Sequence, residues 1–208
     1  MSEHAGRRAL FVIDVQNDFT EGGALGVEGG AAVARRITEH LQRYGDDYDI
    51  VFASRDWHHP EGDNGGHFAD EPDFVDSWPP HCIAGTAGAD YHPALDTERV
   101  DVHVLKGHGE PAYSIFEGAH EGRAFREVLA AHGVTDVDVV GIATDYCVLA
   151  SALDAKRHGL EVRVIEDLVA GVAPESSTAA LERLRAEGVH VVASMEAGPG
   201  PATTRARG

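Results

Sequence analysis

The chain has 208 residues, 43% hydrophobic and 25% charged, which suits one domain with a sizeable core. Its formal net charge of -18 argues against nucleic acid or anionic membrane as a partner, because such a surface repels both. Two cysteines are too few for a secreted disulfide framework, and there is neither a basic, apolar leader nor a membrane-length apolar run, so the chain reads as cytoplasmic.

Residues 9–13 read as a buried strand, and Asp14 follows directly. A carboxylate at such a strand end, between apolar walls, is expected to have a raised pKa and to trade protons near neutrality. An aspartate satisfied by loop amides would look the same, and Asp18 is the nearer candidate for that task. Residues 30–44 read as a helix and 49–53 as the second strand, followed by Asp56-Trp57-His58. Alternation along an extended chain puts Asp56 and His58 on one side. A carboxylate and an imidazole suit zinc, manganese or ferrous iron, although a chain with 13 histidines also produces close pairs that are only solvated loop residues.

The segment 58–95 has no clear period, yet it carries Phe68, Phe74, Trp78 and Tyr91, too aromatic for a disordered linker. It reads as an ordered loop over an active site, with His81 able to close a metal site and Cys82 an inert core thiol. The third strand, 101–105, ends at Lys106, one of two lysines against 15 arginines. A composition that favours arginine has kept a compact ammonium there, either for a task a guanidinium cannot do or by chance.

Residues 121–132 read as a helix, 137–141 as a strand and 145–158 as a helix, with Cys147 near its start. The amides and dipole of a helix start, with Lys106 nearby, are expected to lower the thiol pKa and to hold an oxyanion; an inert buried thiol is the alternative. Strands at 161–165 and 189–192 and a helix at 174–187 complete the pattern, and Gly133, Gly159 and Gly188 fall where helix C-caps favour glycine. The expected fold is α/β, a doubly wound, mostly parallel six-stranded sheet with helices on both faces, spanning 7–195 as one domain with flexible tails at 1–6 and 196–208. Ligands bind at the carboxyl ends of strands in such a sheet, where Asp14, Asp56, His58, Lys106 and Cys147 would meet.

Six segments, in this order, resemble the nicotinamidase branch of the isochorismatase-like cysteine hydrolases: residues 13–19 (Ile-Asp-Val-Gln-Asn-Asp-Phe), 55–58 (Arg-Asp-Trp-His), 77–82 (Ser-Trp-Pro-Pro-His-Cys), Lys106-Gly107, 113–116 (Tyr-Ser-Ile-Phe) and 141–148 (Gly-Ile-Ala-Thr-Asp-Tyr-Cys-Val). The resemblance implies Asp14, Lys106 and Cys147 as a catalytic triad, and Asp56, His58 and His81 as ligands of one divalent metal ion, zinc, iron or manganese. It further implies Phe19 and Trp78 flanking the substrate ring with Tyr113 as a further substrate contact, an oxyanion hole from the amides of Ala143 and Cys147, and a cis peptide between Ile142 and Ala143. The chain departs from the family after His58, where its loop is longer and glycine-rich. His67 is the candidate fourth ligand, in preference to His59, which adjoins a ligand and should point the other way.

The reaction so implied is hydrolysis of nicotinamide to nicotinate and ammonia through a cysteine thioester, in NAD salvage, with pyrazinamide also accepted. A homo-oligomer is left open. The alternatives are a metal-free carbamoyl or ureido amidase of the same fold, which would not need Asp56, His58 and His81, and a non-enzymatic metal-binding protein.

Overall fold

The computed structural model describes residues 6–194, and each apolar run picked out above falls on a strand, those at 49–53, 101–105 and 189–192 starting one residue before it. In chain order the elements are β1 (Arg7–Ile13), α1 (Gly30–Tyr44), β2 (Ile50–Asp56), β3 (Val102–Lys106), β4 (Ala119–His120), β5 (Arg123–Ala124), α2 (Phe125–Ala131), β6 (Val134–Ile142), α3 (Leu149–Arg157), β7 (Glu161–Ala170), α4 (Pro174–Ala186) and β8 (His190–Val192). The sheet order is β5-β4-β3-β2-β1-β6-β7-β8. The six long-range strands are parallel, as expected, and the short β4 and β5 add an antiparallel edge. That edge occupies part of the helix expected at 121–132: Glu121 and Gly122 both have positive φ (49° and 79°), which makes a tight hairpin turn, and the helix begins only at Phe125. The tails expected at 1–6 and 196–208 lie outside the described residues, apart from Gly6.

Alternation in the strands divides the core in two. Leu10 and Val12 of β1 pack with Val33, Ile37 and Leu41, spaced along one face of α1. Phe11 and Ile13 point the other way, into a cluster with Phe125 of α2, Ala152 of α3 and Leu184 of α4. Phe11, Phe52 and Phe125 meet edge to face there, with centroids 5.2–5.6 Å apart. Each such buried side chain contributes about 1.5–3 kcal/mol, so the sheet is held from both sides. No helix among the described residues is long and apolar enough to cross a membrane.

The chain runs from β1 to β2 and β3 in one direction and from β6 to β7 and β8 in the other, so the order reverses between β1 and β6. A reversal of this kind opens a crevice at the strands' carboxyl ends. Gly141 sets how closely β6 approaches there: its φ is +119°, and a Cβ would lie 2.1 Å from the Ile13 carbonyl oxygen. The long segment after β2 is ordered over this edge, tied down by bridges between Gln16 and Tyr91, His58 and Ile83, and Phe68 and Trp78.

Candidate active site

β2 and β3 run further than their apolar stretches suggest, and Asp56 pairs in register with Lys106 at their shared end. The reason is electrostatic: Lys106 is buried but lies between two carboxylates, bonded to Asp56 Oδ1 and 2.9 Å from Asp14 Oδ2. It also donates to the Ala112 carbonyl (3.1 Å) and sits 3.7 Å from Cys147 Sγ. Burial opposes its charge, but Asp14 and Asp56 outweigh burial and hold the ammonium well above its ordinary pKa. Asp14, in the left-handed region (φ 47°), accepts a hydrogen bond from Ser54 Oγ at 2.7 Å. Burial raises its pKa against the pull of Lys106, so it is suited to taking a proton.

Cys147 lies in a π-turn, Thr144–Val148, which precedes α3 and replaces the regular helix start expected at 145. Its thiol pKa is raised, not lowered: burial is the main cause, and Asp14 and Asp56 add to it while Lys106 opposes. With two carboxylates around one ammonium, a thiolate would be a second uncompensated negative charge. The resting sulfur is therefore a thiol, and it needs a base. The Ile142–Ala143 peptide is cis, as the resemblance implied.

The other half of Asp56 faces three imidazoles. Asp56 Oδ2 is 3.7 Å from His58 Nε2 and 3.9 Å from His81 Nε2, and nitrogens of His58, His67 and His81 lie within 4.8 Å of one another. His58 Nδ1 donates to the Gly107 carbonyl and His81 Nδ1 to that of Pro79, both at 2.8 Å. Carbonyls only accept, so Nδ1 of each ring carries a proton and Nε2 is the atom turned towards the cluster. His58 Nε2 and His67 Nδ1 are buried without a hydrogen-bond partner. Burial lowers the pKa of His81, and burial with the neighbouring imidazoles lowers that of His67 to about 4, so both are neutral. Asp56 stays ionised: burial alone would raise its pKa, but the Lys106 ammonium beside it brings it below the usual carboxylate range. Three imidazoles with one carboxylate, closely spaced and with orphaned buried nitrogens, fit a divalent ion. His67 joins this cluster; His59 is exposed instead, with its ring 6.2 Å from that of His108.

A cavity of about 320 Å³ opens above both groups, near the small end of the usual range for ligand pockets. Cys147, Ala143, Asp56, His67 and His81 line its polar end, and Phe19, Trp78, Tyr113 and Tyr146 its sides. Trp78 Nε1 donates to Tyr113 Oη at 3.1 Å, and the Tyr113 and Tyr146 rings stack 6.1 Å apart. Cys82 is buried, burial raises its thiol pKa, and its N–H donates to Asp18 Oδ2. Asp18 thus takes the structural task foreseen for it.

Three supporting residues escaped the sequence reading. Ser54 holds Asp14. Gln16 clamps the Asp56 backbone, accepting from its N–H at 2.8 Å and donating to its carbonyl at 2.9 Å, with a further bond to Ala89. Asp145 accepts from the amides of Val172 and Ala173 and from Ser176 Oγ, anchoring the turn between β7 and α4. The available signal was position alone, since Gln16 and Asp145 stand inside the segments that carry the resemblance.

A sequence profile of the isochorismatase domain matches residues 8–196. The chain belongs to the isochorismatase family. Among family members, it is 50% identical over 188 residues to the nicotinamidase/pyrazinamidase of Mycobacterium tuberculosis, covering 90% of this chain and 99% of that one. Solved structures of relatives superpose closely. The pyrazinamidase of Pyrococcus horikoshii in complex with zinc has a TM-score of 0.76 at 35% identity, covering 90% of this chain and 99% of the other. PnC1 from L. infantum in complex with nicotinate also scores 0.76, at 32% identity, covering 91% and 93%.

Proposed function

We propose that this protein is a nicotinamidase, hydrolysing nicotinamide to nicotinate and ammonia, with pyrazinamide also accepted, and that it serves NAD salvage in the cytoplasm. The observation that carries the reading is the juxtaposition at one cavity end of a thiol, a buried ammonium and a carboxylate of raised pKa, beside a carboxylate–imidazole cluster. High identity to an enzyme of that name supports the substrate.

In this reading Asp14, Lys106 and Cys147 form the catalytic triad. Cys147 Sγ attacks the carboxamide carbon while its proton passes to Asp14. The ammonium of Lys106, 3.7 Å from the sulfur, compensates the charge that develops there. Amides of Ala143 and Cys147 receive the oxyanion. Asp14 returns the proton to the leaving nitrogen, the C–N bond breaks and ammonia departs, leaving a thioester. Asp14 then accepts a proton from an attacking water, the C–S bond breaks, and the proton goes back to the sulfur as nicotinate forms. Phe19, Trp78 and Tyr113 hold the ring, and Trp78 is fixed by its bond to Tyr113.

Asp56, His58, His81 and His67 would hold a divalent ion, zinc, iron or manganese, which when bound supplies an electrophilic anchor for the ring nitrogen. The same four residues argue against a metal-free ureido amidase, which has no use for three buried imidazoles clustered beside a carboxylate. Ammonia release from nicotinamide, pyrazinamide and a ureido acid tests the reading, with elemental analysis of the same sample. Turnover of the two ring amides and one transition metal per chain are expected. Turnover of the ureido acid alone, by metal-free protein, would overturn it.

A further inference from the structure

Large apolar side chains are exposed at one place among the described residues. Phe74, Val75 and Val172 are 56%, 62% and 53% exposed, and Phe74 and Val172 both line the cavity, which places its solvent-facing rim at these two side chains. Isolated exposed hydrophobics are ordinary, but a cluster at a cavity mouth in a chain of net charge -18 is not. Both positions are also built. Asp73 Oδ1 accepts from the amides of Val75, Asp76 and Ser77, fixing the turn that holds Phe74 at φ +57°. The Phe74 ring stands nearly perpendicular to that of Trp78, and Tyr146 Oη donates to the Phe74 carbonyl. Val172 is pinned through its own N–H by Asp145 at 3.0 Å. The apolar rim is thus held in place before any ligand arrives.

The cavity, about 320 Å³, is larger than a single pyridine carboxamide requires, and Phe74 and Val172 are its exposed apolar lining residues. Resting on the amidase reading above, the ring nitrogen faces the imidazole cluster and the carboxamide faces Cys147. In a pyridine-3-carboxamide those two groups flank ring carbon 2, which must then point at the buried floor. Carbon 5 is diametrically opposite and points to the mouth. Among the described residues Asp56 is the only carboxylate lining the cavity, while Asp73, Asp76 and Asp145 lie near Tyr146 and are not part of its lining. The rim therefore welcomes an apolar group and repels an anionic one.

We propose that Phe74 and Val172 are specificity-determining residues that receive an apolar substituent on ring carbon 5, making 5-alkylpyridine-3-carboxamides substrates of this site. The chemistry is unchanged: the same C–N bond breaks and the same ammonia leaves. A partly buried alkyl chain gains less than the several-fold per carbon of a closed pocket, and a propyl group is long enough to reach both side chains.

The test measures kcat/KM of the wild-type protein for nicotinamide, its 5-propyl and 2-propyl derivatives and its 5-carboxylate, then repeats the first two with Phe74→Ser and Val172→Ser. Both side chains are largely solvent-exposed, so the variants should fold. The 5-propyl amide is expected to match or exceed nicotinamide, with the 2-propyl and 5-carboxylate amides at least about a hundredfold worse. Each variant should lower the ratio of 5-propyl to parent about fivefold. Calorimetry on Cys147→Ala should show the 5-propyl amide binding at least as tightly as nicotinamide. A 5-propyl amide more than tenfold worse than nicotinamide, or a ratio unmoved by both variants, overturns the inference while leaving the amidase reading intact. Equal losses for both compounds also overturn it, since the pair would then be covering the ring itself. No turnover of nicotinamide or the 5-propyl amide would sink the amidase reading and this inference together.

Discussion

Replacing Lys106 by arginine keeps the charge and removes its shape, which separates the two. The ammonium has three protons in a tetrahedral array and four neighbours: Asp56 Oδ1, Asp14 Oδ2 at 2.9 Å, the Ala112 carbonyl at 3.1 Å and Cys147 Sγ at 3.7 Å. The side chain is fully buried, so a larger planar guanidinium must displace its surroundings, an overpacking cost of about 1–3 kcal/mol. A guanidinium also tends to fork onto a carboxylate. Seated on Asp14 it would lower that pKa and weaken the proton acceptor that the buried thiol needs. Together these should remove about 3 kcal/mol of transition-state stabilisation, roughly a hundredfold in kcat/KM for ammonia release. Lys156→Arg is the control within the same chain. Lys156 pairs with Glu161 at 3.5 Å on the surface, where an ion pair is worth no more than about 1 kcal/mol. Circular dichroism of both variants would establish folding. Equal kcat/KM in the two would refute the reasoning, because Lys106 would then be an ordinary cation.

Removing the divalent ion with a chelator should abolish most turnover yet leave far-ultraviolet dichroism almost unchanged, since the ligands sit at the sheet edge and the two cores do not depend on them; zinc, manganese or ferrous iron should restore activity. Gln16→Leu removes two bonds to the buried Asp56 backbone, each unmet group costing about 1–3 kcal/mol, and should weaken metal affinity about tenfold or more in a chelator competition; unchanged affinity would show that Asp56 needs no clamp. His40 offers a pH test away from the site. Burial lowers its pKa from 6.5 to about 4, so the folded state prefers the neutral ring and the unfolded chain takes up the proton first as pH falls. The stability it contributes is complete above pH 6.5 and lost progressively towards pH 4, about 2 kcal/mol between pH 7 and 4.5. Urea titrations should show this slope reduced in His40→Gln.

The parallel strands were legible because burial on both faces leaves uninterrupted apolar runs, as in residues 9–13. Strand ends were not, because Asp56 and Lys106 break the apolar pattern and are buried only through each other. The short antiparallel hairpin was hidden for a different reason. Nothing in His120-Glu121-Gly122-Arg123 except the glycine marks a turn, and the helix-favouring residues around it mask the change. At the candidate site, Asp14, Asp56, His58, Lys106 and Cys147 converge because parallel strands deliver their carboxyl ends to one edge, and the loop after β2 folds His67 and His81 back onto it. The thiol's raised pKa ran against expectation. A helix start favours a thiolate, but the net charge of the buried cluster decides, and that follows only once Asp14 and Asp56 are known to share one lysine. Ser54, Gln16 and Asp145 act through partners at least 27 residues away, a distance at which sequence carries no local trace.

The central claim is that Cys147 is the nucleophile and that the remaining groups serve it. Ammonia release by Cys147→Ala, with Cys82→Ala measured beside it, tests this most directly. Cys147→Ala should fold normally and lose nearly all turnover of nicotinamide, while Cys82→Ala keeps most of it. Retention of even about a tenth of the wild-type kcat by Cys147→Ala, only about 1.4 kcal/mol of lost stabilisation, would contradict the account.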